Sequence, residues 1–179
     1  MSVLDSIWSP DQELNVKFRG LMDVDGLYKV MYNWFDARKF EWHEPNIKDK
    51  HPTQGDEQEI KIMAYRNDTD FFRVVYNIFI HTWDLIPVQV NKDGKKKLLE
   101  KGRIKISIGV AFEYDYENKW EGTRMHTTLR DFYIKYIMLR KIQVYADKIE
   151  YEAHNLQETI KQWLDMQARG NQFADVWEG

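Results

Sequence analysis

The sequence predicts an α+β domain: a curved antiparallel sheet packed on a long C-terminal helix. Two strand patterns and one helical pattern carry that prediction. Residues 103–117, RIKISIGVAFEYDYE, place Ile104, Ile106, Ile108, Val110, Phe112, Tyr114 and Tyr116 on one parity. Arg103, Lys105, Ser107, Gly109, Ala111, Glu113 and Asp115 fall on the other, which is the period of a strand with one apolar face. Residues 70–83, DFFRVVYNIFIHTW, are rich in β-branched and aromatic side chains on both parities, as in a central strand covered on each side. From 127 to about 168, Leu129, Phe132, Tyr133, Tyr136, Leu139, Ile142, Ala146, Ile149, Ala153, Leu156, Ile160, Trp163 and Leu164 recur at threes and fours, the spacing of an amphipathic helix.

The elements follow in order. Residues 1–12 read as an N-terminal extension and 13–169 as a single domain. Leu14, Val16 and Phe18 share one face of a short strand. After Gly20, Asp23 or Asp25 offers a helix cap, and Leu27, Val30, Met31, Trp34 and Phe35 follow at helical spacing. Phe40 and Trp42 alternate in a strand over 39–44, while Pro45, Pro52 and Gly55 mark 45–56 as an exposed loop. Ile60, Ile62 and Ala64 resume the period of two, and RNDTD turns the chain into the 70–83 strand. Pro87 marks a bulge or an edge in the continuation DLIPVQV. Asp93-Gly94 is a turn signal within NKDGKKKLLEKG, a lysine-rich hairpin end joining the two long strands.

Thr127 or Thr128 can cap the last helix, with Asp131 in its first turn. Some forty residues of helix would span roughly 60 Å, more than one face of a domain this size. With no Gly or Pro before Gly170, continuity or a gentle bend is expected rather than a break. In the tail, 170–179, Phe173 and Trp177 can anchor on a partner.

Composition narrows the function. A formal charge of -3, from 26 Lys plus Arg against 29 Asp plus Glu, supplies no overall attraction to a phosphate backbone, so nucleic acid is not the expected partner. The chain has no Cys, hence no thiolate chemistry; cytoplasm is the expected compartment. The N-terminus does not read as a secretory signal, and no window approaches a membrane span. Aromatic residues make up 15% of the chain, and Tyr and Trp suit interfaces and pockets because each carries a polar atom on a large apolar body.

Neither a catalytic motif nor a cofactor motif emerges. His43 and His51 lie near Glu41, Glu44 and Asp49 at no standard metal-ligand spacing, and they read as a solvated loop. Glu150 and His154 form an i,i+4 surface pair, with Glu152 between them. His81, flanked by Asp70 and Asp84, reads as a polar contact in the sheet. KDGKKK has one glycine where a phosphate loop needs several. No metal, no cofactor and no catalysis are therefore expected.

The order of strand, helix, several antiparallel strands and closing helix resembles the helix-grip arrangement of START-like lipid and small-molecule binding domains. That resemblance implies a curved sheet wrapping a helix over a cavity, although the second short helix usual after the first is missing. It makes a hydrophobic small molecule or lipid one expected ligand. The resemblance carries over no functional residues; Tyr76, Tyr114, Tyr116 and Trp120 are candidate pocket residues on their own account, as rings able to line a space beneath the helix. The leading expectation is different: a noncatalytic interaction or structural subunit assembling into an oligomer or larger complex. The first half of the last helix is apolar on more than one side, so Tyr133, Ile137, Met138 and Tyr145 are the candidate interface residues beside Phe173 and Trp177. Lys135, Arg140, Lys141 and Lys148 add peripheral contact with an anionic membrane as a weaker alternative.

Overall fold

The computed structural model describes residues 3–6, 13–50, 55–92, 95–120 and 123–169. Side chains at 3–6, 44–46, 50, 92, 95, 138–143 and 165–169 fall outside that description, as do Phe173 and Trp177. The chain is α+β. Among the described residues six strands form one antiparallel sheet: β1 (Val3–Ser6), β2 (Leu14–Met22), β3 (Glu41–Lys50), β4 (Asp56–Asn67), β5 (Phe72–Lys92) and β6 (Lys95–Tyr114). Along the sheet the order is β1-β6-β5-β4-β3, and β2 pairs with β6 on the edge that β1 also uses.

The 70–83 and 103–117 segments pair antiparallel, with Ile78 opposite Ile108 and Ile80 opposite Ile106. Both strands are longer than their patterns suggest, because the lysine-rich hairpin end is itself ladder out to Lys92 opposite Lys95. Alternation had hidden this, since Lys96, Lys97 and Leu98 are all exposed. At the other end β6 stops at Tyr114. Asp115 has φ of 52° and turns the chain, so Tyr116 leaves the apolar row. Residues 45–50, expected in a loop, instead belong to β3 and pair with β4. The register shifts between His43 and Asn46, so Pro45, which has no N–H to donate, sits inside an irregularity rather than in the ladder.

A second irregularity lies in β5, where the register shifts between Trp83 and Ile86 against β6 and again opposite Asp56 and Gln58 in β4. Asp84 takes φ of 55° there. The extra residue reverses the alternation, so that Leu85 is buried and Ile86 is exposed. Gly102 faces this bulge: a Cβ on it would meet the Trp83 carbonyl oxygen and Leu85 Cδ2, each at 2.8 Å. Beyond Leu85, β5 has β6 as its sole neighbour among the described residues, and Pro87 occupies that edge.

Helix α1 (Val24–Asp36) is capped by Asp23, whose Oδ1 accepts the Gly26 N–H at 2.8 Å. Its face of Leu27, Met31, Trp34 and Phe35 is buried. The helical pattern near the C-terminus is divided into α2 (Arg124–Phe132), a π-helical turn (Tyr133–Met138) and α3 (Leu139–Arg169). Thr123, not Thr127 or Thr128, caps α2; those two hydroxyls bond back to the Thr123 and Arg124 carbonyls. The π turn shifts the phase of the helix, and this accommodates an apolar pattern that no single α-helical face could hold.

One core joins these layers. Ile104, Ile106, Ile108, Val110 and Phe112 of β6 share it with Ile149, Ala153, Leu156, Ile160 and Leu164 of α3. Trp163 of α3 sits so close to α1 that a Cβ on Gly26 would lie 2.7 Å from its ring. A polar clamp fixes α3 at the other end of α1. Asn155 Oδ1 accepts from Trp34 Nε1 at 2.9 Å and from Arg38 Nη2 at 3.0 Å, while Arg66 pairs with Asp68 and with Glu152.

Candidate functional site

Helix α3 covers the sheet with one side, and the helical run from α2 onward presents a second apolar side to solvent. Met125, Leu129, Phe132, Tyr136, Ile137, Val144 and Tyr151 are large hydrophobic residues left exposed, from 46% at Leu129 to 78% at Tyr151. The first four are spaced by four, three and four residues, a single helical face. Phe132 and Tyr136 touch with ring centroids 4.8 Å apart. From Met125 to Tyr151 the row extends roughly 39 Å at the α-helical rise.

The expected interface residues divide between the two sides. Ile137 lies on the exposed row. Tyr133 turns inward and packs with Phe71 at 5.3 Å and Trp120 at 5.9 Å. Tyr145 packs on Phe72 at 5.3 Å. Met138 contributes its backbone to the π turn, its side chain being outside the described residues. The phase shift of the π turn explains the division: it turns Tyr133 and Ile134 toward the core ahead of Tyr145 and Ala146. Leu129, Phe132 and Tyr136, not among the expected interface residues, lie on the exposed row.

The four expected pocket residues occupy two places. Tyr76 and Tyr114 are fully buried, and Tyr76 meets Phe35, Phe40 and Trp34 edge-on, its hydroxyl donating to the Ile149 carbonyl at 3.4 Å. Burial, with Glu152 nearby, pushes the Tyr76 phenol well above the ordinary range. Tyr116 and Trp120 belong to the turn before α2. The Tyr116 hydroxyl donates to the Thr69 carbonyl at 3.2 Å, and the Trp120 N–H donates to the buried Asp115 carboxylate at 3.3 Å. Arg130, itself buried, lies 3.9 Å from Asp115, so this turn is held by charge as well as by stacking.

The face of the sheet away from the helices carries polar chemistry in register. Across four strands, Lys17 of β2 stands opposite Lys105 of β6, Lys105 opposite His81 of β5, and His81 opposite Glu59 of β4. The next row sets Arg19 opposite Arg103 and Arg103 opposite Trp83. His81 Nε2 is 2.7 Å from Glu57 Oε1 and 4.0 Å from Glu59 Oε1. These three residues could hold a divalent cation through one nitrogen and two carboxylate oxygens, although the short His81–Glu57 bond already satisfies the imidazole. His43 and Glu41 are 4.0 Å apart on the same face, and His43 stacks on Tyr65.

At the start of α1, charges meet across the layers. Lys97 Nζ lies 2.6 Å from Asp23 Oδ2. Burial acts to raise the Asp23 carboxyl, but Lys97 and the Gly26 N–H outweigh it and hold the group below its usual range. Glu100, beside the same helix end, is pushed up by burial and by Asp25 and Asp23, against a stabilising bond from the Val24 backbone.

No helix among the described residues is long and apolar enough to cross a membrane. No family model matches the chain, and no curated protein matches it.

Proposed function

We propose that this chain is a noncatalytic interaction subunit that assembles through the outer side of α2, the π turn and α3, with a second copy as its simplest occupant. The exposed row from Met125 to Tyr151 is the observation that carries this reading. Completing the burial of a large apolar side chain is worth up to about 1.5–3 kcal/mol, so half that gain at each of seven positions gives roughly 5–10 kcal/mol. A two-fold contact presents the row twice, enough to offset an association cost of about 4–15 kcal/mol.

A second, helix-grip reading draws on the sheet order. β2, the strand before α1, meets β6, the last strand, and α3 lies over both. In domains it resembles, a ligand would occupy the space between sheet and helix; here Trp34, Phe35, Phe40 and Tyr76 fill much of that space with ring contacts. This favours assembly over a lipid or small hydrophobic ligand.

Light scattering across a concentration series tests the reading. The wild-type protein should exceed its 21.7 kDa monomer mass as concentration rises, and Phe132→Ser with Tyr136→Ser should hold it at the monomer with unchanged circular dichroism. A wild-type protein that stays monomeric at high concentration sinks self-assembly. A co-purifying hydrophobic molecule found by native mass spectrometry would move the weight to the ligand reading.

A further inference from the structure

We propose that the outer face of β2, β6 and β5 binds single-stranded nucleic acid, with phosphates over Lys17, Arg19, Lys101, Arg103 and Lys105 and a base against Trp83. The two facing pairs, Lys17 with Lys105 and Arg19 with Arg103, are consecutive rows of the same ladder. Like charges directly opposite one another destabilise a sheet. In the described structure Lys17, Arg19, Lys101 and Lys105 form no ion pair, and Arg103 alone is matched, by Asp84. A ligand anion laid between the strands would match Lys17 and Lys105 in one row and Arg19 in the next, where Asp84 already serves Arg103.

The shape of the patch selects the ligand. Lys17, Arg19, Trp83, Arg103 and Lys105 line a groove of about 450 Å³. An adjoining groove of about 440 Å³ continues past Arg19, Arg103 and Lys101. Along β6 the cations Lys101, Arg103 and Lys105 recur at every second residue, about 6.8 Å apart, and the last two face Arg19 and Lys17 of β2 across roughly 4.8 Å. Such an open double row follows a linear polyanion, whereas a lone phosphate would be better held by donors converging from several sides. The chain as a whole is acidic, at -3, so the patch is a local field and not a reflection of net charge.

Trp83 supplies what a purely electrostatic surface lacks. It is half-buried, held against the tilted His81 ring at a centroid distance of 3.8 Å, and placed at the β5 bulge. Bulges re-aim side chains, and Gly102 lets the neighbouring strand approach at this point. A basic groove beside an immobilised ring is the arrangement that binds single strands with little sequence preference. A duplex keeps its bases stacked inside and could use only the cations.

Fluorescence anisotropy with a labelled single-stranded oligothymidylate tests the proposal. Binding should weaken with salt at a log–log slope of about -3, as four or five phosphate contacts at roughly -0.7 each predict. Lys17→Gln with Lys105→Gln should weaken binding at least tenfold and flatten the slope, while the free protein melts no lower than wild type because a like-charge row has been relieved. Trp83→Leu should weaken binding about tenfold and leave the slope unchanged. Should Trp83→Leu fail to fold, a preference of the wild-type protein for the single strand over a duplex of equal length reads the same contribution. No binding at low salt overturns the proposal. So does equal affinity for heparin and for the duplex, which would mark a bare polyanion surface, and so does binding to vesicles containing phosphatidylserine with none to the oligonucleotide.

Discussion

Leu156→Ala tests whether α3 owes its position to the core. Leu156 has no exposed surface and shares its cluster with Ile149, Ala153 and Ile160 on the same helix face. Replacing a buried Leu by Ala costs about 2–5 kcal/mol, and the value depends on how far the surroundings can close on the cavity. Here closure is resisted on both flanks. Gln157 Nε2 donates to the Asn15 carbonyl on β2 at 3.2 Å, and Asn155 Oδ1 accepts from Trp34 on α1 at 2.9 Å. The helix cannot sink toward the sheet without breaking these bonds, which places the expected loss at about 3–4 kcal/mol. For a chain of this length that corresponds to roughly 6–16 °C in melting temperature. Urea unfolding should show a lower midpoint with an unchanged slope, since the surface exposed on unfolding barely changes. Tyr151→Ala is the control on the opposite side, where 78% exposure predicts a change within about 0.5 kcal/mol of monomer stability. A loss below about 1 kcal/mol for Leu156→Ala would refute the view that the sheet-facing side of α3 is a close-packed layer.

Three further outcomes follow from particular contacts. Asn155→Ala should destabilise by about 1–3 kcal/mol in urea, because the buried Trp34 indole N–H loses its acceptor, while Arg38 can still reach the Trp34 carbonyl and solvent. Gly102→Ala should cost about 1–3 kcal/mol by thermal melting, since its new Cβ would meet the Trp83 carbonyl at 2.8 Å and the Asp84 carbonyl at 3.1 Å, backbone atoms that cannot swing aside. The Asp23 carboxyl is held below its unfolded value, so its contribution is complete above about pH 4, the unfolded value, and is lost as pH falls through the folded one. Lys97→Met should therefore lose stability relative to wild type at pH 6 and converge on it near pH 2, as urea midpoints at the two pH values would register.

Short-range patterns located most elements. The period-two rows of β4, β5 and β6 and the capped amphipathic α1 depend on residues adjacent in sequence, so Ile104 to Phe112, and Asp23 ahead of Leu27, were legible directly. What depended on a partner strand was not. Residues 45–50 carry loop signals, and only pairing with β4 around the irregularity at Pro45 makes them a strand. The β5 bulge reverses which parity is buried at Leu85 and Ile86, and alternation cannot reveal such a reversal before the opposing Gly102 is known. On the C-terminal helices the apolar residues were visible, but their assignment to sides required the π turn. Tyr133 and Tyr145 therefore went to the core, while Phe132 and Tyr136 took the exposed row.

The basic face was invisible for the same physical reason, and that reason bears on its meaning. Lys17 and Arg19 sit in a short strand near the start, whereas Lys101, Arg103 and Lys105 come more than eighty residues later. Each set, read alone, is the solvated side of an amphipathic strand. Only the β2–β6 register turns them into facing pairs, and a shift of one residue would have set cations against the apolar face instead. That register is fixed by the other side of the same strands, where Val16 lies opposite Ile106 and both are buried. The core therefore imposes the juxtaposition, and the sequence could have relieved it cheaply by placing a carboxylate at either exposed position of a pair. Glu59 and His81 show such a complementary choice one strand away on the same row. The Lys17–Lys105 row lacks a carboxylate of its own, and in the next row Asp84 reaches Arg103 but leaves Arg19 unmatched; an anion that comes and goes explains these cations better than charge left over from folding.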